Sequence, residues 1–418
     1  MAGEMNSQRL FDLQEAQKLF KIKYEKLSEN VYNSANVLLG RVKKSYDFVG
    51  QKIQITIPSS FSGGVGSGSL PKANVAIYER AELEAKKMYA VVEIDRETIK
   101  ASLKDEGSFV RATKEVVQKA VESFMRNMSR ALFSDGTGIL GKIEAINGNV
   151  LTITEATFKE ANFEERDLVN ALDVNSGDYS LSTVIGGSTP ETQEITAVEP
   201  ETRKVTLSGT HTGLAVGDEL IMQGSHKNDP EGLKGVLQTE TELTAAGKSP
   251  YGISPARRWS AGHVEAASQA AVSTDMLNKA MLNIKKKCGK SPNLIVCSFK
   301  QYEKILNLLE DKKRYQVNTR AGLKSKSGAD ISFSGVEFMS VDGPIGIFPE
   351  RFVEDDRIYL LNDSHIEIKH RPDFGWFDDD GTVFLRKPSD DAYEARYGGY
   401  LQVYINPCFH GVIKDLSV

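Results

Sequence analysis

The feature that most constrains this chain is an apolar stripe at Phe109, Val116, Val117, Ala120, Val121, Phe124, Met125, Met128, Ala131 and Leu132. Its i, i+4, i+7 recurrence predicts an amphipathic helix over 107–133, with Ser108 as N-cap. At about 1.5 Å per residue such a helix is near 40 Å long, more than a small domain can cover. It reads as a structural spine, and its Met and Phe positions read as packing rather than a cofactor box. The stop is Ser134-Asp135-Gly136-Thr137-Gly138, where glycine supplies left-handed backbone.

Ahead of the spine, Lys52-Ile53-Gln54-Ile55-Thr56-Ile57-Pro58 alternates with period two, as a strand does. A second extended stretch is expected over 73–78 and a third strand over 88–94, with the Gly/Ser-rich segment 59–71 between the first two. This predicts a long hairpin with a mobile tip that cannot bury itself. The tip is not a phosphate loop: GGVGSG lacks a following Gly-Lys-Ser/Thr, is not GxGxxG, and leads into a strand. Residues 8–27 place Leu10, Leu13, Ala16, Leu19, Phe20 and Leu27 at helical spacing, an amphipathic arm in need of a partner surface.

Residues 139–224 change character, and an echo appears within them. Lys142-Ile143-Glu144-Ala145-Ile146, an Asn147-Gly148-Asn149 turn and Val150-Leu151-Thr152-Ile153 form one unit; 194–198, 199–203 and 204–207 form the other. Acidic-then-aliphatic strand starts follow at Asp167-Leu168-Val169 and Asp218-Glu219-Leu220-Ile221. Asn-Gly is a hairpin-turn signal. The expectation is a small, separately folded β-barrel-like module. Beyond it, helix is expected over 264–287 and 299–309, and strands over 294–297, 337–341, 358–361, 366–369, 382–385 and 396–405. That alternation indicates an α/β or α+β layer.

Composition excludes several classes. The chain has 418 residues, 40% hydrophobic and 26% charged, which fits a folded protein of two to four domains at roughly 100–200 residues each. No run of about 18 apolar residues could span a bilayer, and the N-terminus lacks a signal-peptide core, so no membrane partner is expected. The net charge of -5 is not that of a tight nucleic-acid binder. The basic runs 285–287 and 312–314 border helical stretches and read as solvated helix ends. Cys288, Cys297 and Cys408 read as reduced thiols, too scattered for a disulfide framework or a zinc site.

No catalytic signature emerges either. The six histidines form no HExxH, and no Gly-x-Ser-x-Gly elbow occurs. Asp373-Phe374-Gly375 lacks an upstream HRD loop, and Asp378-Asp379-Asp380-Gly381 lacks a calcium-loop pattern. The expectation is a non-enzyme with no catalytic residues, cofactor or metal.

The spine ending Arg130-Ala131-Leu132-Phe133-Ser134-Asp135-Gly136-Thr137-Gly138 resembles that of the tailed-bacteriophage major capsid proteins of the Hong Kong 97 fold. In that family a Gly-Leu segment follows soon after. Here Asp229-Pro230-Glu231-Gly232-Leu233-Lys234-Gly235-Val236 resembles it, but about ninety residues downstream, with the β-rich module between. Loop tips tolerate such insertions. Phe299-Lys300-Gln301-Tyr302 resembles the strand-to-helix start of the axial domain, and 397–407 the closing strand.

The resemblance implies an α+β, Hong Kong 97-like capsid fold with an inserted small β-barrel-like domain. It divides the chain into an N-terminal arm (1–45), extended hairpin loop (46–95), peripheral domain with the spine (96–138), inserted domain (139–228), axial domain (229–345), peripheral return strands (346–405) and C-terminal segment (406–418). It implies a structural protein that self-assembles into hexamers and pentamers of an icosahedral head around double-stranded DNA, held without sequence specificity. Assembly would occur in the bacterial host cytoplasm and the product would be the virion capsid. Candidate subunit contacts are Leu10, Leu13 and Phe20 in the arm, and Phe61, Gly64, Gly66, Leu70 and Lys72 at the loop tip. Lys72 is also the candidate for the loop cross-link that some members form. The short arm implies a separate scaffolding protein, besides a portal protein and a decoration protein. Two other readings are an encapsulin-like shell around cargo enzymes and, for 139–224, a carbohydrate-binding or hydrolytic β protein.

Overall fold

The computed structural model describes residues 36–45, 52–60, 77–97, 106–155, 157–174, 183–186, 191–210, 212–311, 321–324, 330–333, 336–340, 343–378, 382–388 and 390–418. The first elements are α1 (Val37–Arg41), β1 (Lys43–Ser45), β2 (Lys52–Ser60), β3 (Ile77–Glu84) and β4 (Lys86–Asp95). Strands β2 and β3 pair antiparallel as the expected hairpin. β3 runs on to Glu84, well past the expected 73–78, because Ala81 and Leu83 are buried opposite Ile55 and Ile53. That apolar face packs on the chain's own main core, which corrects the expectation of a hairpin with nothing to lie on.

The spine is α2, Glu106–Phe133, 28 residues. It starts before Ser108, which is therefore inside the helix and not its cap. Val117, Val121, Phe124, Met125, Met128, Ala131 and Leu132 are buried as the stripe requires. Val116 is 43% exposed, since it lies about 100° around the helix from Val117.

The inserted segment supplies β5 (Ile139–Asn147), β6 (Val150–Ile153), β7 (Leu168–Asp173), β8 (Thr183–Val184), β9 (Gln193–Glu199), β10 (Lys204–Leu207) and β11 (Glu219–Met222). Their order is β11-β5-β6-β10-β9-β7-β8, and an extra β11–β7 pairing closes the ring with β8 outside it. The two echoed hairpins, β5–β6 and β9–β10, meet through antiparallel β6–β10. Gly148 turns the first with φ +62°, the left-handed geometry that Asn-Gly signals. Alternate residues point inward, so Leu151, Ile153, Val205, Leu207, Ile195 and Leu220 fill a core of the barrel's own.

Next come α3 (Leu233–Val236), α4 (Glu240–Ala245), β12 (His263–Ala266), α5 (Thr274–Cys288), β13 (Leu294–Cys297), α6 (Phe299–Asp311), β14 (Ala321–Lys324), β15 (Asp330–Phe333), β16 (Val336–Ser340), β17 (Gly343–Pro349) and β18 (Ile358–Leu361). The helix expected from 264 begins only at Thr274, where Ser273 caps it by accepting the Met276 N–H. Residues 263–266 instead pair in parallel with β22 (Gly411–Lys414). The axial sheet runs β12-β22-β18-β13-β17-β16. β13 and β18 are buried on both sides: Leu294, Val296, Tyr359 and Leu361 join the main core, while Ile295, Cys297, Ile358 and Leu360 join the core under α5 and α6.

The remaining strands are β19 (Ile366–Trp376), β20 (Leu385–Arg386) and β21 (Ala392–Ile405). The strand expected at 382–385 shrinks to β20, because ladder pairing with β21 begins only at Leu385. β1, β19, β21, β20 and β4 form the peripheral sheet, on which the spine lies. Phe124 meets Tyr397 edge-on at 5.3 Å and Phe374 at 5.6 Å. Phe374 of the Asp-Phe-Gly triplet is thus packing. Two crossovers join the peripheral and axial sheets: 362–365 between β18 and β19, and 406–410 between β21 and β22.

Candidate functional site

The spine's end and the Gly-Leu segment, separate in sequence, meet in space. Asp135 and Glu231 form an antiparallel bridge. Arg130 grips Asp229 through Nη1–Oδ2 at 3.0 Å and Nη2–Oδ1 at 3.1 Å, and the Ser134 hydroxyl donates to the Pro230 carbonyl at 3.1 Å. Asp135 Oδ1 accepts the Thr137 N–H at 3.1 Å, which shapes the Asp-Gly-Thr-Gly turn. Gly136 and Gly138 there have φ near +79° and +76°. Gly232 lies so close to the spine that a Cβ would sit 2.2 Å from the Ala131 carbonyl oxygen. The barrel's stem closes where the Ser225 hydroxyl reaches the Gly138 carbonyl at 3.4 Å.

Charges at the junction are tuned by burial and neighbours. For Asp135 burial works upward, but Lys234 and the Thr137 hydrogen bonds hold the carboxyl below its ordinary range. Glu231 has less help, and burial raises it to about 7.

Two basic side chains, Arg126 and Lys159, pin the barrel to the body through ion pairs. Arg126 on the spine holds Asp167 at 2.7 Å and Glu164 at 2.5 Å. Lys159 reaches the Phe352 carbonyl at 3.0 Å and Glu354 at 3.1 Å. Glu354 also has Lys234 at 3.5 Å and the Tyr359 hydroxyl at 3.3 Å. Burial would raise Glu354, yet Lys159, Lys234 and Arg357 overrule it and bring the carboxyl down to about 2. Burial lowers Lys159 despite Glu354.

A third contact holds the root of the N-terminal segment. Glu350 accepts the Leu38 N–H at 3.0 Å, and burial raises its carboxyl to about 7. Asn36 donates to Ser129 of the spine, and Arg41 pairs with Asp363 at 3.2 Å. This arrangement positions segments; it aligns no nucleophile with a base.

Leu10, Leu13, Phe20, Phe61, Gly64, Gly66, Leu70 and Lys72 all lie outside the described residues, as does the basic run 312–314. Lys287 of the other basic run turns inward, donating to the Ala261 carbonyl at 2.6 Å and the Ser260 hydroxyl at 2.9 Å. Among the described residues no group of three His, Cys, Asp or Glu could hold a metal. Sequence reasoning missed Glu350, Glu354 and Lys159, which belong to no periodic pattern. It also misread two cysteines: Cys288 and Cys408 form a disulfide, with Cα atoms 6.1 Å apart. They are 120 residues apart in sequence, so only the fold brings them together.

Residues 221–377 match the family model described as SU10 major capsid protein. The match starts inside β11, where the barrel ends, and runs just past the end of β19. No curated protein matches the chain in sequence. Among solved structures the chain is similar to the capsid subunit of cyanophage A-1(L), at 12% identity, TM-score 0.50 and 91% coverage of both chains. Also similar are the SrpI encapsulin of Synechococcus elongatus (8% identity, TM-score 0.43, covering 90% of this chain and 85% of that one) and Mycobacterium phage Bobi (10%, 0.42, 97% and 98%). The spine on its five-stranded sheet, the six-stranded sheet with its helices and the hairpin together make the Hong Kong 97 fold. Residues 221–377 are thus similar to a phage major capsid protein, and the chain as a whole shares the capsid fold.

Proposed function

We propose that this chain builds the hexamers and pentamers of an icosahedral phage head in the host cytoplasm, and that the head encloses double-stranded DNA without reading its sequence. The reading rests above all on the shared capsid fold, which spans 91% of both chains, together with the matched segment. Surface left uncovered on one copy supports it. Tyr89 and Val91 of β4 are 58% and 49% exposed and line a groove of about 340 Å³ with Tyr400 and Phe377. Apolar area of this kind suits burial against another copy. The arm residues Leu10, Leu13 and Phe20 and the tip residues Phe61, Gly64, Gly66, Leu70 and Lys72 are proposed to complete those contacts.

The division into arm, hairpin, peripheral, inserted and axial parts is kept as a proposal with two amendments. A boundary at 345/346 would cut β17, and β18 and β22 pair within the axial sheet, so 346–361 and 411–414 are assigned to the axial domain. The role is structural and non-enzymatic, served by separate scaffolding, portal and decoration proteins. The net charge of -5 suits a container that must let its DNA go. Electron microscopy of purified particles tests this. A portal vertex and internal DNA are expected; a small uniform shell holding protein would replace the reading with the encapsulin-like one.

A further inference from the structure

The 406–410 crossover carries more than chain continuity. It leaves β21 of the peripheral sheet and enters β22 of the axial sheet. Within it, Cys408 is bonded to Cys288, the last residue of α5. The second crossover is tied to the first: the Asn406 N–H donates to the His365 carbonyl at 3.2 Å, and the Asn362 N–H donates to His410 Nδ1 at 3.1 Å. The His365 and Phe409 rings stack at 3.8 Å, and Lys290 lies over Phe409 at 5.5 Å. The disulfide therefore fastens the joint between the two sheets to the end of an axial helix.

Bacterial cytoplasm keeps protein thiols reduced. A subunit assembled there has two free thiols at this joint. Cys288 is half-buried and open to a small oxidant, whereas Cys297 is fully buried, and burial pushes its thiol up to about 12. We propose that the Cys288–Cys408 pair is a redox lock on the intersheet joint, open while the shell assembles and closed once the particle meets an oxidising medium. In closing, the two thiols give two protons and two electrons to dissolved dioxygen, forming the S–S bond and hydrogen peroxide. Closure ties a chain separation of 120 residues and fixes the crossover on α5. The inference rests on the proposal of cytoplasmic assembly.

The test uses full-length particles, alkylated with N-ethylmaleimide either at the moment of lysis or after aerobic purification. Peptide mass spectrometry without reductant then reads the pair. Alkylated thiols are expected in the first sample and the Cys288–Cys408 cross-link in the second. A phosphine reductant should lower the particle melting midpoint by about 5 °C or more. Particles of Cys288→Ser should melt at one temperature with or without reductant. A cross-link already present at lysis, thiols still free after air exposure, or a midpoint unmoved by reductant would each overturn the lock. Particles with persistently free thiols would remove the lock alone. A chain that forms no particles at all would remove the capsid reading and the lock with it.

Discussion

Arg130 and Asp229 form a two-point ion pair at 3.0 and 3.1 Å across a sequence separation of 99, each side chain about 7% exposed or less. Through this contact the spine and the Gly-Leu segment act as one joint although a whole barrel separates them. Removing one partner strands a buried charge, at a cost of about 3–5 kcal/mol. Asp229→Ala or Arg130→Ala should therefore unfold at clearly lower denaturant concentration. The Arg130→Met, Asp229→Leu double variant should recover most of that loss, measured by chemical denaturation of the dissociated subunit.

Gly232 and Gly148 separate two uses of glycine. Alanine at 232 would drive its Cβ to 2.2 Å from the Ala131 carbonyl oxygen and 2.6 Å from that of Leu132. Both obstacles are backbone, so Gly232→Ala should cost more than about 2 kcal/mol and lower the yield of folded protein. At Gly148 nothing lies within 4 Å and only the φ of +62° resists, so Gly148→Ala should cost about 1 kcal/mol. Thermal unfolding of the two variants side by side checks the difference.

Glu350 and Glu354 should give opposite pH dependences. Glu350 is raised in the fold, to about 7 from 4.5, so its stabilising contribution is fully present below pH 4.5 and disappears as pH rises through 7. The span is about 3 kcal/mol. Glu350→Gln keeps an acceptor for the Leu38 N–H and should flatten stability between pH 5 and 8. Glu354 is held down, at about 2, so its contribution is present above pH 4.5 and fades as pH falls toward 2. Glu354→Gln should lower the midpoint at pH 7, because Lys159 and Lys234 lose their shared counter-ion. Melting curves from pH 3 to pH 8 test both signs.

Excising 139–224 and joining the stem directly should leave a folded remainder, since Gly138 and Ser225 are within hydrogen-bond reach. The excised segment should fold alone, having its own core around Leu151, Ile195, Val205 and Leu220. Circular dichroism of the two fragments checks this, and a disordered barrel would refute it.

The spine and the barrel's hairpins were legible because their periods, 3.6 and 2, are written locally in residues 117–132, 142–153 and 194–207. The parallel β12–β22 pair was not, although the two-sided strands at 294–297 and 358–361 were. β22 is four residues with no alternation to read, and β12 sits in an Ala-rich stretch whose local preference is helical until pairing with β22 overrides it. The resemblance also reads the Asp135 turn and the Gly232 segment as two halves of one motif, and they meet in the fold. Glu350, Glu354 and the cysteine pair remained hidden because each depends on a partner dozens to hundreds of residues away.

Sedimentation velocity of the full-length chain, across protein concentration and ionic strength, tests the central claim most directly. The account predicts growth from subunits to capsomer-sized species and then closed shells as concentration rises. A compact monomer at every concentration and ionic strength would contradict it.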